Sequence, residues 1–180
     1  LALRGLRDVD EKTKKMFAEV LALASQSTQE VRTMSNLLHP PLLEEFGLAG
    51  AVRDYAIGFE QRSGITVTLT VPDHLARLPK EAELALFRVL QESLANVHRH
   101  SGSPTVAVWL ASDAEEVLLE VRDAGRGMPT AVPGVGERGA LLGVGIAGMR
   151  ERMRQLGGRL EIESGAGGTV VRGILPLAEG

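Results

Sequence analysis

Glu92 and Asn96 stand four residues apart in the stretch Gln91-Glu92-Ser93-Leu94-Ala95-Asn96-Val97-His98-Arg99-His100. On a helix that spacing puts both on one face. Arg99 and His100, two turns beyond Glu92, can reach the same space. An amide oxygen is a suitable hard ligand for Mg2+, which keeps several waters and binds through one or two protein oxygens plus phosphates. A carboxylate one turn earlier can orient or deprotonate an attacking group, and cations can neutralise phosphate charge. The same residues also describe a solvated polar helix face, and Glu-x3-Asn alone does not separate the two.

Three further stretches carry chemistry-bearing spacing. Asp123-Ala124-Gly125-Arg126-Gly127-Met128 follows a strand pattern directly. Its carboxylate at a strand end can accept a hydrogen bond from an exocyclic amine such as that of adenine, and its glycines let backbone approach a flat ligand. It is also a common turn sequence. Gly143-Val144-Gly145-Ile146-Ala147-Gly148 reads as glycines leading into a helix start, where backbone N–H groups and the helix dipole favour an anion. No Gly-Lys-Ser/Thr follows, so it is not a Walker loop, and no strand precedes it as a dinucleotide fingerprint needs. Gly165-Ala166-Gly167-Gly168-Thr169 reads equally well as a plain hairpin turn.

The elements that must position these groups follow from periodicity. Residues 10–38 lack Gly and Pro and draw one apolar or small stripe through Met16, Val20, Leu23, Ser27, Val31, Met34 and Leu38, the seam of a helical bundle that needs a second helix. Pro40-Pro41 ends it. Residues 48–62 form an amphipathic helix presenting Leu48, Val52, Tyr55 and Phe59, stopped by Ser63-Gly64. Residues 65–71 alternate as a half-buried strand. Residues 80–100 form the helix of the opening stretch, with Leu84, Phe87, Leu90, Leu94 and Val97 inward. Residues 104–110 and 117–122 are strands, and 123–145 a long Gly- and Pro-rich lid. Residues 146–156 are a helix stopped by Gly157-Gly158, and 159–164 with 169–176 a closing hairpin. The sum is an α+β sandwich, a mixed sheet with helices on one face.

Composition bounds the answer. The chain has 180 residues, 44% hydrophobic and 24% charged, the profile of a globular domain. Only 3% are aromatic, which predicts an aliphatic core. The net charge of −3 does not point to a nucleic-acid partner. Without cysteine there is no thiolate metal site, disulfide or cysteine nucleophile. No membrane span or signal peptide is visible, so the expected location is cytoplasmic. The start at Leu1, inside a helical pattern and without Met, predicts a piece of a longer protein, with any membrane segment upstream.

Taken together, Glu-x3-Asn, then Asp-x-Gly-x-Gly, then a Gly-rich lid, then Gly-x-Gly-Gly-Thr resemble the GHKL (Bergerat-fold) ATPase family, specifically the catalytic domain of a sensor histidine kinase. Met149-Arg150-Glu151-Arg152, and residues 38–48 with His39-Pro40-Pro41, resemble the subfamily of nitrate and membrane-fluidity sensors. The resemblance covers nearly the whole chain. It implies a partial dimerisation region at 1–41 and an ATP-binding domain at 42–180. It also implies ATP with Mg2+ as cofactors, a response regulator as partner, and homodimerisation through the helical region. Carried over by position, Asn96 would hold Mg2+ bridging the phosphates, and Glu92 would serve as base toward the acceptor histidine. Arg99 and His100 would approach phosphate. Asp123 would hold the adenine amine, with Gly125, Gly127 and Met128 lining the pocket. Gly143, Gly145 and Gly148 would form the lid and its hinge, and Thr169 would sit near the adenine.

The phosphoacceptor is where the chain departs from that pattern. The family's acceptor is a His followed by an acidic residue, and none of His39, His74, His98 or His100 is so followed. The helix carrying it is expected outside this sequence, so this chain alone should bind ATP and not phosphorylate itself. Two other classes compete: a serine kinase of the anti-sigma-factor type, and a nucleotide-binding signal-relay module without transfer.

Overall fold

The structure is a computed structural model that describes residues 41–128 and 138–177, with side chains at 42–128 and 145–177. The described residues fall almost wholly in one compact unit, Leu42–Gly180. The bundle stripe of residues 10–38 and His39 lie outside them.

Helix α1 spans Pro41–Ser63 and is broken at Gly47, whose φ of 65° and ψ of −175° are not helical. The helix therefore starts seven residues before the Leu48 expected from sequence, and bends where only glycine adopts the backbone angle at no steric cost. The bend is braced from outside: Arg77 donates to the Glu44 carbonyl at 3.3 Å and Lys80 pairs with Glu44 at 3.3 Å. Beyond it, Leu48, Val52 and Phe59 are buried. Strand β1, Thr66–Thr70, follows. Arg53 on α1 ties down its exit by donating to the carbonyls of Val71 and Pro72, at 3.1 and 2.6 Å.

Helix α2, Lys80–Asn96, carries the opening stretch. Near its start, buried Glu83 accepts from the Leu78 N–H at 3.3 Å and pairs with Arg77 at 3.2 Å, which ties the chain entering the helix to its first turn. Leu86, Phe87, Leu90 and Leu94 are buried; Leu84 is only partly so. The helix does not run on as a regular helix to His100. It closes in a π-helical turn, Val97–Ser101, ended by Gly102 in the left-handed conformation.

Strands β2 (Thr105–Ser112) and β3 (Glu116–Asp123) form an antiparallel hairpin. Helix α3 then spans Arg138–Gln155. It ends in a Schellman turn: Gly158 N–H reaches the Met153 carbonyl at 2.9 Å and Gly157 N–H the Arg154 carbonyl at 3.0 Å, with Gly157 at φ 75°. Strands β4 (Arg159–Gly165) and β5 (Gly168–Pro176) close the chain as a hairpin with Ala166-Gly167 at its turn.

The five strands are ordered β1-β2-β3-β5-β4. Only β1–β2 is parallel; it is the pair separated by a helix, as a parallel connection requires. Alternation sends Val106, Val108, Leu110, Val117, Leu119, Val121 and Val171 to one face, where they join the helices in one aliphatic core. The opposite face carries polar ladders, such as Arg172 to Glu120 at 2.6 Å. This is the mixed-sheet sandwich expected from the strand and helix patterns.

Two expectations are corrected. Helix α3 begins eight residues before Ile146, so Gly143, Gly145 and Gly148 lie inside it and do not lead into its start. Ala140, Leu141 and Leu142 are strong helix formers that offset the glycines, and Met149 and Met153 anchor the helix in the core. Correspondingly, the last part of the expected lid 123–145, from residue 138 on, is helix, and residues 129–137 of it lie outside the described residues.

Candidate nucleotide site

A buried carboxylate ends the central strand. Asp123 is 6% exposed, opposite Val106 on β2, and its Oδ1 accepts the Gly125 N–H at 2.8 Å. This local loop turns the chain back and leaves the carboxylate facing a small cavity. One wall of that cavity comes from α2 and its π turn: Ser93, Asn96, Val97, His100 and Ser101. The other walls are Val121, Asp123, Gly127, Met128, Ile146, Ile162, Thr169 and Val171. The enclosed space is about 30 Å3, room for about one water.

The π turn and the loop after Asp123 are bolted together. A wide turn leaves carbonyls without intrahelical donors, and Arg126 supplies them. Its backbone N–H reaches the Ser101 carbonyl at 3.0 Å and its Nε the His100 carbonyl at 2.7 Å. Ser103 adds a bridge, accepting the Ala124 N–H at 3.4 Å. The far wall is held by hydroxyls: the Met128 N–H donates to Ser164 Oγ at 2.6 Å, and Ser164 shares a hydrogen bond with Thr169 at 3.0 Å.

The glycines also make contacts the sequence did not show. A Cβ at Gly125 would collide with the Ser101 carbonyl, one at Gly127 with the Gly165 carbonyl, and one at Gly168 with the Asp123 carbonyl. They let backbone approach backbone, and Gly127 lines the cavity as well. Gly127 (φ 72°) and Gly168 (φ 114°) also hold left-handed angles that disfavour side chains. The Gly165–Gly168 turn is thus a hairpin turn and also the contact that sets Thr169 beside Asp123.

The expected site residues divide accordingly. Asn96, His100, Asp123, Gly127, Met128 and Thr169 share the cavity. Gly125 lies behind it. Arg99 is exposed, as are His74 and His98, and Arg99 is not among the lining residues; the π turn directs His100 inward and Arg99 outward. Glu92 lies against α3, where a Cβ at Gly145 would meet its Oε1. Gly148 touches nothing nearby, and Gly143 sits in the helix.

Sequence reasoning missed Ser93 and the apolar walls Val121, Ile146, Ile162 and Val171. Ser93 had a signal: it precedes Asn96 by three and His100 by seven, the inward side of a helix. The apolar walls come from four separate elements and had none.

A buried acid, the three hydroxyl side chains of Ser93, Ser101 and Thr169 and an amide surround an apolar slot at the end of a sheet backed by helices. Residues 81–179, more than half of the chain, match the family described as "Histidine kinase-, DNA gyrase B-, and HSP90-like ATPase". The chain belongs to this family. It is 34% identical over 98% of its length to the sensor histidine kinase MctS of Rhizobium johnstonii. It is 30% identical over 97% of its length to the sensor histidine kinase LiaS of Bacillus subtilis. It spans 38% and 47% of those two proteins. Its fold is similar to the histidine kinase domain of a blue-light-activated histidine kinase from Erythrobacter litoralis. The TM-score is 0.61 at 21% identity, covering 91% of this chain and 85% of that one.

Proposed function

We propose that the chain is the ATP-binding catalytic module of a two-component sensor histidine kinase. The module passes the γ-phosphoryl group of ATP to a histidine on a dimerisation helix, for relay to a response regulator. The observation that carries this reading is the single cavity shared by Asp123 and Thr169 on the sheet side and Asn96 and His100 on the helix side. An acceptor-only carboxylate suits the adenine amine, and the apolar side chains around it suit the ring faces. Asn96 and His100 extend from there toward phosphate.

Phosphoryl transfer needs positioning and charge neutralisation more than covalent chemistry. Mg2+, when bound with the phosphates, would supply the neutralisation. Asn96 would hold it through its amide oxygen. That fits an ion held by one protein oxygen and by phosphate oxygens. Glu92, at the edge of the site, would orient the attacking imidazole and take its proton.

The decisive experiment mixes this chain with a purified protein carrying the acceptor helix and labelled ATP. Acid-labile phosphate on histidine is expected. Acid-stable phosphate on serine would transfer the assignment to an anti-sigma-factor-type serine kinase, and nucleotide binding with no transfer would leave a signal-relay module. By calorimetry, Asp123→Asn should abolish ATP binding; unchanged affinity would remove the adenine role of this carboxylate.

A further inference from the structure

Ser93 Oγ is, among the described residues, the only fully buried side-chain polar atom without a hydrogen-bond partner. Ser93 is 2% exposed and lines the same cavity as Asp123 and Thr169. Burying a hydroxyl unpaired is destabilising. A helical serine also has a ready remedy, since its hydroxyl can bond the carbonyl four residues back. Here that would be Val89, and the bond is not made. A hydroxyl held against its own cost, on the cavity side of α2, has a partner to meet in that cavity.

The chemistry of the cavity says which partner. The Watson–Crick edge of adenine presents the exocyclic amine, a donor, beside ring nitrogen N1, an acceptor. Asp123, when ionised, only accepts, so it can serve the amine and not N1. N1 requires a donor next to that carboxylate. Thr169 and Ser164 share one hydrogen bond in which either can donate, and Ser101 Oγ accepts the Ser103 N–H; of the hydroxyls lining the cavity, only Ser93 Oγ has no partner at all.

We propose that Ser93 reads the base: its hydroxyl donates, directly or through one water, to N1 of the adenine whose amine Asp123 accepts. This rests on the nucleotide reading above and adds a specificity-determining residue to it.

The test compares Ser93→Ala with the unaltered 180-residue chain, by calorimetry with two nucleotides, ATP and 1-deaza-ATP, in which N1 is replaced by C–H. Ser93→Ala should weaken ATP binding about fivefold, the size of one neutral hydrogen bond, and leave 1-deaza-ATP binding unchanged. Thermal unfolding without nucleotide should show Ser93→Ala at least as stable as the unaltered chain, because an unpaired buried hydroxyl has been removed. Equal losses for both nucleotides, as from a damaged pocket, or no loss for either, would overturn the role of Ser93 and leave the nucleotide reading intact. Failure of the unaltered chain to bind ATP at all would overturn both.

Discussion

Gly127 shows how much rests on one missing side chain. It holds φ 72° with the Gly165 carbonyl where its Cβ would be. A left-handed angle alone costs an alanine about 1–2 kcal/mol, and the collision adds to it. Gly127→Ala should therefore lower stability to urea by about 2 kcal/mol or more and also reduce ATP affinity, because the loop bearing Met128 must move off the hairpin bearing Thr169. A variant with undiminished stability would show that the two loops are not packed backbone to backbone. Asp123 makes the complementary point. Its buried position and the 2.8 Å bond from Gly125 fix the direction of a group whose role is to accept.

Turns and helix ends decide where these residues point. The π turn Val97–Ser101 brings His100 into the cavity and turns Arg99 away. The Arg126 bonds that satisfy its carbonyls connect it to the Asp123 loop. The β2–β3 turn is a simpler device. Asp113 Oδ1 accepts the N–H groups of Glu116 and Glu115 at 2.9 and 2.8 Å, and these bonds, Glu116 first, hold its carboxyl below its ordinary value. A carboxyl depressed in the folded state contributes stability above its unfolded value, near pH 4, and loses it as pH falls through the folded value. The stability gap between the unaltered chain and Asp113→Ala should be present at pH 7 and narrow below about pH 4. A gap independent of pH would assign the effect to something other than this carboxylate.

At the scale of the molecule, the sheet buries one face under three helices and leaves a polar face outward. The site sits at the end of the central strands, on the buried side, where α2, α3 and the closing hairpin meet. A ligand there bridges elements from across the domain, so it should stabilise the whole domain. At a nucleotide concentration about 100 times its Kd the gain is about 2.7 kcal/mol, which should raise Tm by roughly 5–10 °C for a domain of this size. ATP with Mg2+ producing no shift at that concentration would argue against a site joined to the core. Among the described residues no helix is long and apolar enough to cross a membrane.

By itself the sequence determined the order and type of the strands and helices among the described residues, and the family. Its strand alternation, its helix stripes and the spacing Glu-x3-Asn with Asp-x-Gly-x-Gly are local, and locally encoded signals survive folding. It also determined that Asn96 and Asp123 had to be sought together. Only the tertiary structure decided that Gly125, Gly127 and Gly168 serve backbone contacts, that Gly143, Gly145 and Gly148 lie inside a helix, and that Ser93 is left with an unpaired hydroxyl. A glycine's use depends on which backbone arrives opposite it. A buried hydroxyl's partner depends on which side chains share its cavity. Both are contacts between residues far apart in the chain, and no spacing within one element encodes them.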